Sequence, residues 1–132
     1  MKKILLIISA FFLFLVPAVV KADSPVLTLK VHYFRYNADY SDGWDLWIWQ
    51  KTPTNKAGAA YKFDTDDNGK IIIDDFGALA TIDLTVDLLK DSTSLGIIVR
   101  KGDSWVKDVS TDRFINIKES SEDSMMHAYF VE

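Results

Sequence analysis

The run Gly43-Trp44-Asp45-Leu46-Trp47-Ile48-Trp49 constrains the fold more than any other stretch, because it places three of the four tryptophans within six residues. In a β-strand, successive side chains point to opposite faces. Trp44, Leu46 and Ile48 then share one face, and Asp45, Trp47 and Trp49 share the other. Two structures satisfy this pattern. Either the strand is central and buried on both faces, or one face enters a core and the other presents two indoles roughly 7 Å apart along the strand. The second arrangement is a flat, rigid stacking surface.

The flanking sequence supplies further strands and no helix. Val26 to Arg35 alternates Leu27, Leu29, Val31 and Tyr33 with Thr28, Lys30, His32 and Phe34. Further short strands are expected over 60–63, 79–86, 95–100, 113–117 and 127–131, with a short apolar run over 70–73. Turn signals such as Asp42-Gly43, Thr52-Pro53 and Asn68-Gly69 separate them. The charged segment 119–124 reads as a hairpin loop between the last two strands, and 101–112 as a loop or irregular edge around Trp105. Nothing has a sustained helical period. The pattern predicts an all-β protein, an immunoglobulin-like antiparallel β-sandwich.

Residues 1–22 read as an export signal: Lys2 and Lys3, an apolar run from Ile4 to Val20, and small residues at Val20 and Ala22. A retained membrane anchor is the rival, but the run is short for a span. Cleavage leaves one domain over 23–132. Removing the signal's three lysines from 15 basic residues leaves 12 against 19 acids, a net charge of −7. Without a basic stripe, nucleic acid and anionic membranes are poor partners. The chain has no cysteine. That excludes disulfides, thiol catalysis and thiolate metal sites, so stability must come from the core.

Catalytic residues are not apparent. The two histidines, His32 and His127, both lie in strands and neither adjoins a nucleophile turn. A domain of this size also leaves little room for a cleft that distorts a sugar. The segment Asp64-Thr65-Asp66-Asp67-Asn68-Gly69 fits the first half of a calcium loop, with Asp75 at the twelfth position. Its flanks look like strands, and the last ligand is the short aspartate. A β-hairpin with a type I′ turn at Asn68-Gly69 is therefore favoured, and no metal or other cofactor is expected.

The tryptophans suit a sugar, whose C–H face stacks on an indole while its edge hydroxyls need groups that donate and accept. Near Trp105 the chain offers Lys107, Asp108, Asp112 and Arg113. Each could equally be an ordinary surface charge.

Taken in order, Val31-His32-Tyr33, the run Tyr40 to Trp49, Ala60 to Phe63, Asp74 to Gly77, Leu95 to Arg100, Trp105 to Val109 and Asp112 to Ile115 resemble a family 41 carbohydrate-binding module. These are the N-terminal α-glucan-binding modules of bacterial pullulanases. The resemblance covers about Leu27 to Val131. It implies a secreted or cell-surface β-sandwich, monomeric and non-catalytic, that binds α-1,4-linked glucose in pullulan, amylopectin, glycogen or maltooligosaccharides. It implies a platform at Trp47 and Trp49, hydroxyl contacts from Lys107 and Asp112, and a structural Trp44. Asp64 to Ile73 is longer than the family's usual connection. The family's modules normally accompany a catalytic domain, whereas this chain carries one module. The alternative is a structural or adhesive domain that turns its tryptophan face to a protein partner. An enzyme is the third reading, and would release reducing ends from pullulan unaided.

Overall fold

A computed structural model describes residues 25–118 and 123–132. The export signal over 1–22 lies outside them. Among the described residues eight strands run in chain order: β1 (Thr28–Phe34), β2 (Trp44–Thr52), β3 (Ala59–Tyr61), β4 (Ala78–Asp83), β5 (Ser94–Lys101), β6 (Val106–Lys107), β7 (Arg113–Asn116) and β8 (Met125–Val131). The helical content of the described residues is one 3-10 turn over Gly102–Ser104.

The strands form two sheets. The smaller has the order β4-β1-β8, and the larger the order β3-β2-β5-β6, with β7 also on β5. They pack as an all-β sandwich, as the alternation predicts. Leu29, Val31 and Tyr33 of β1 meet Leu46 and Ile48 of β2 and Leu95, Ile97 and Val99 of β5 in one core cluster, all at most 1% exposed. Burying each such aliphatic chain contributes about 1.5–3 kcal/mol. This core stands in for the absent disulfides.

Two details depart from the sequence expectation. The sandwich is not purely antiparallel, because β1 and β8 pair in parallel, Thr28 opposite Met125 through Phe34 opposite Val131. Nor do the last two strands form a hairpin: β7 edges β5 in the larger sheet, and β8 edges β1 in the smaller. Residues 119–122 of the expected hairpin loop lie outside the described set. A polar connection reads alike whether it joins paired strands or strands of different sheets.

The acidic segment is a hairpin, with Thr65 bridged to Ile71. Its turn is not type I′, which needs positive φ at both central residues. Gly69 has φ +77°, whereas Asn68 is not among the positive-φ residues. Two of its carboxylates accept within the protein: Asp64 from the Thr81 amide of β4 at 3.0 Å and its hydroxyl at 2.6 Å, and Asp66 from the Asn68 and Lys70 amides at 2.9 Å each.

Candidate functional site

The outward face of the larger sheet gathers the residues that the sequence singles out. In β2 the burial alternates: Leu46 and Ile48 are in the core, and Trp47 and Trp49 are half-buried on the opposite face. The strand is thus one-faced toward the core, and the indole pair lies outside it. Trp44 shares the Leu46 side, packs against the core cluster and carries the Arg35 guanidinium 4.0 Å over its ring.

The neighbouring strands hold each indole in place. Trp49 is opposite Gly96 of β5, and its ring lies flat across that residue. A Cβ at Gly96 would sit 2.1 Å from the indole carbon Cζ2, and one at Gly58 would sit 2.3 Å from Trp47 Nε1. Only glycine leaves room for rings lying this close to the sheet. Phe114 of β7, also opposite Gly96, meets Trp49 edge-on with centroids 5.9 Å apart. Trp105 meets Trp47 at 5.0 Å and 62°.

Beneath this second pair lies a charge. Arg100 is 3% exposed, and its guanidinium carbon is 4.6 Å from the Trp47 centroid and 4.2 Å from that of Trp105. Asp45, directly opposite in the ladder, accepts from Arg100 Nε at 2.9 Å and from its Nη2 at 3.3 Å. The fork fixes the guanidinium plane, and the plane supports two indoles through cation–π contact.

Lys107 is opposite Arg100 and so shares the aromatic face. Its Nζ is 2.5 Å from Asp112 Oδ1, and both side chains stay accessible, at 30% and 40%. The structure therefore brings Trp47, Trp49, Lys107 and Asp112 to one face and its edge. It separates them from the other two charged candidates. The Asp108 side chain is 1% exposed. It accepts from the Tyr33 hydroxyl at 3.0 Å and from Arg113 at 2.8 and 3.1 Å. Burial, reinforced by the Asp108 carboxylate, pushes the Tyr33 hydroxyl well above its ordinary range. Asp108 and Arg113 are thus a structural clamp at the sandwich edge.

Trp105, Phe114 and Arg100 escape the sequence reading as members of this face. Phe114 had a signal: if Ile115 and Ile117 point inward, Phe114 must point outward. Trp105 had none, because its direction depends on a left-handed turn after the 3-10 segment, with φ 57° and ψ 20°.

The fold and this face define a class: an all-β sandwich with a built aromatic surface on one sheet and an accessible ion pair at its edge. Within it the chain belongs to the family described as the bacterial pullanase-associated domain, which it matches over residues 27–129. That span starts just before β1, ends inside β8 and includes every residue of the aromatic face.

Proposed function

We propose that the protein is a non-catalytic α-glucan-binding module of the family 41 type, exported and monomeric, which holds a pullulanase-type enzyme near its substrate. The observation that carries this reading is the shared face of Trp47, Trp49 and the accessible Lys107–Asp112 pair. Glucose rings stack on the two indoles. Lys107 donates to hydroxyl oxygens and Asp112 accepts from hydroxyl groups. Family membership supports the link to pullulan degradation, and the acid-rich composition fits a neutral polysaccharide better than nucleic acid or an anionic membrane.

Each aromatic contact contributes on the order of 1 kcal/mol beyond burial, so a single module binds modestly. Tight binding to a polymer then requires several modules at high effective concentration. The test is isothermal titration of residues 23–132 with maltotetraose. Binding heat is expected from the wild type, and none from Trp47→Ala or Trp49→Ala, each of which should still unfold cooperatively, at a lowered melting temperature. Full affinity in both variants would overturn the tryptophan platform. No heat from the wild type would turn the aromatic face over to a protein partner.

A further inference from the structure

We infer that β8 is an association edge, to which a second copy of this chain adds two-fold, β8 against β8, joining the two smaller sheets into one. The inference keeps the dilute monomer of the binding reading and goes beyond it. The pairing itself does not rest on glucan binding; only its use does.

β8 is an edge strand of the smaller sheet, and nothing in its composition guards it. Its seven residues, Met125 to Val131, include no Lys, Arg, Asp, Glu, Pro or Gly. Natural proteins normally place such residues on a long edge or cover it, because its unpaired amides recruit another strand. The direction of each amide follows from one hydrogen bond. The Glu132 amide donates to the Phe34 carbonyl of β1 at 2.9 Å, and backbone groups two residues apart point the same way. The amides of 126, 128 and 130 therefore face β1, and those of 125, 127, 129 and 131 face away. Among the described residues one outward backbone group has a partner: the Val131 carbonyl accepts from Arg113 Nη2 at 2.9 Å. The opposite edge of the same sheet is closed. On β4 the Leu79 amide donates to the Ile72 carbonyl at 3.1 Å, and the Leu79 carbonyl accepts from the Asp64 amide at 2.8 Å. The Thr81 amide is taken by Asp64 Oδ1 at 3.0 Å. The outer strands of the larger sheet, β3, β6 and β7, are three, two and four residues long. Among the described residues β8 is therefore the longest open edge.

One open edge and one closed edge in the sheet commit the association to two copies: a two-fold pair uses both open edges and leaves none for a third copy. The register follows from the blocked end. With the Val131 carbonyl held by Arg113, the open run is 125–129, and an antiparallel two-fold axis falls on His127. His127 then faces its own counterpart, and Met125 faces the second copy's Tyr129, a thioether against an aromatic ring. Three hydrogen-bonded pairs of this kind exchange about six amide bonds. The strand brings no Lys, Arg, Asp or Glu to the seam. The bodies, with 19 acids against 15 bases, repel each other. The contact is therefore weak in dilute solution and strengthens with salt. Its use lies in the modest affinity of one platform: two platforms on one pair bind a polymer more tightly without any new sugar contact.

The experiment is analytical ultracentrifugation of the protein from about 10 μM to about 1 mM, the range of a small, transient interface. The weight-average mass is expected to rise with concentration to twice that of the monomer and no further. The dissociation constant should fall about threefold or more between about 0.05 M and about 0.5 M salt. His127→Lys and His127→Glu each set like charges face to face across the axis, and each alone is expected to stay monomeric. Mixed in equal amounts, the two variants should recover the dimer. Both lose the bond to His32, and lost stability alone gives no recovery on mixing, so the mixture separates pairing from folding. A wild type that remains monomeric at about 1 mM in high salt would overturn the inference. So would growth beyond two copies, or a mixture no more associated than its parts. Maltotetraose affinity per platform should be equal in monomer and dimer. Absence of any binding heat would bring down the glucan reading and leave the masses, and the pairing they show, standing.

Discussion

The two outer faces of the sandwich are both aromatic, yet they differ in what their polar groups are free to do. On the larger sheet, Lys107 and Asp112 pair mainly with each other and remain reachable from solvent. On the smaller sheet, Tyr129 lies flat on His32 at 4.4 Å and 11°, and Phe76 and Phe34 continue the aromatic row. There the polar groups are already committed. Asp74 accepts from the Phe76 and Gly77 amides at 2.8 and 2.9 Å and bonds His32 Nδ1. His32 Nε2 in turn is 2.8 Å from His127 Nδ1. An exposed ring alone does not make a sugar site, because the ligand's hydroxyls also need uncommitted partners. By this criterion the larger sheet suits the proposed site better, and the smaller one carries a hydrogen-bonded clamp joining β1, β8 and the 74–77 turn.

The comparison can be broken most forcefully at His32. The residue is 7% exposed and bonded at both ring nitrogens. His32→Ala should therefore destabilise the fold by about 2–4 kcal/mol through lost packing and the lost bonds to Asp74 and His127. Maltotetraose affinity of the folded protein should not change. Urea denaturation and titration on one preparation separate the two effects, and a binding loss without a stability loss would reverse the roles of the faces.

Gly96→Ala probes the opposite face with a mixed outcome. The new methyl would collide with the Trp49 ring, so the indole must lift from the sheet. Overpacking of this kind costs about 1–3 kcal/mol, and maltotetraose binding should fall with it. Unaltered binding would mean that the flat pose of Trp49 is irrelevant to the ligand. Asp112→Ala is milder in stability. An accessible ion pair is worth about 0.2–1 kcal/mol, so its denaturation midpoint should barely move. Its affinity should drop about tenfold or more, because a charged hydrogen bond to a hydroxyl contributes about 1.5–3 kcal/mol.

How far the chain announces this arrangement depends on the residue. The alternation of β2 and β1 is local, and period two is enough to assign Leu46 and Ile48 to the core and Trp47 and Trp49 to the other face. Asp108 and Asp112 show the limit. Four residues apart and chemically identical, they are indistinguishable in sequence. The pairing of β6 and β7 along β5 buries one against the Tyr33 hydroxyl and leaves the other at the rim. That pairing is long-range, as is the crossing of β8 to the parallel edge of β1. The clamp is hidden for the same reason: His32 and His127 lie 95 positions apart, and each reads alone as an isolated histidine. The family resemblance supplied Lys107 and Asp112, but nothing in either side chain's local pattern separates them from their neighbours.

The smallest effect expected tests whether the clamp is electrostatic as well as steric. The Asp74 carboxyl is held below its ordinary value of 3.8, chiefly by the Gly77 amide, against the opposing effect of burial, with Phe76 and His32 adding to the depression. A depressed value in the folded state means that the unfolded chain takes up the proton first as the pH falls. The stabilisation is therefore complete well above pH 3.8 and is lost as the pH drops through the lower, folded value. Asp39 and Asp83 are depressed in the same direction, foremost by the Ser41 and Thr85 hydroxyls, so a general acid loss is no test by itself. The informative quantity is the difference between wild type and Asp74→Asn in urea midpoint at neutral and at acid pH. Asparagine keeps an acceptor for the Gly77 amide but cannot ionise, so Asp74→Asn should be the less stable protein at neutral pH, and the gap should narrow below pH 3.8. A gap that stays constant would leave the smaller sheet's clamp a matter of shape alone. The contrast between a committed face and an available one would then rest on the accessibility of Lys107 and Asp112.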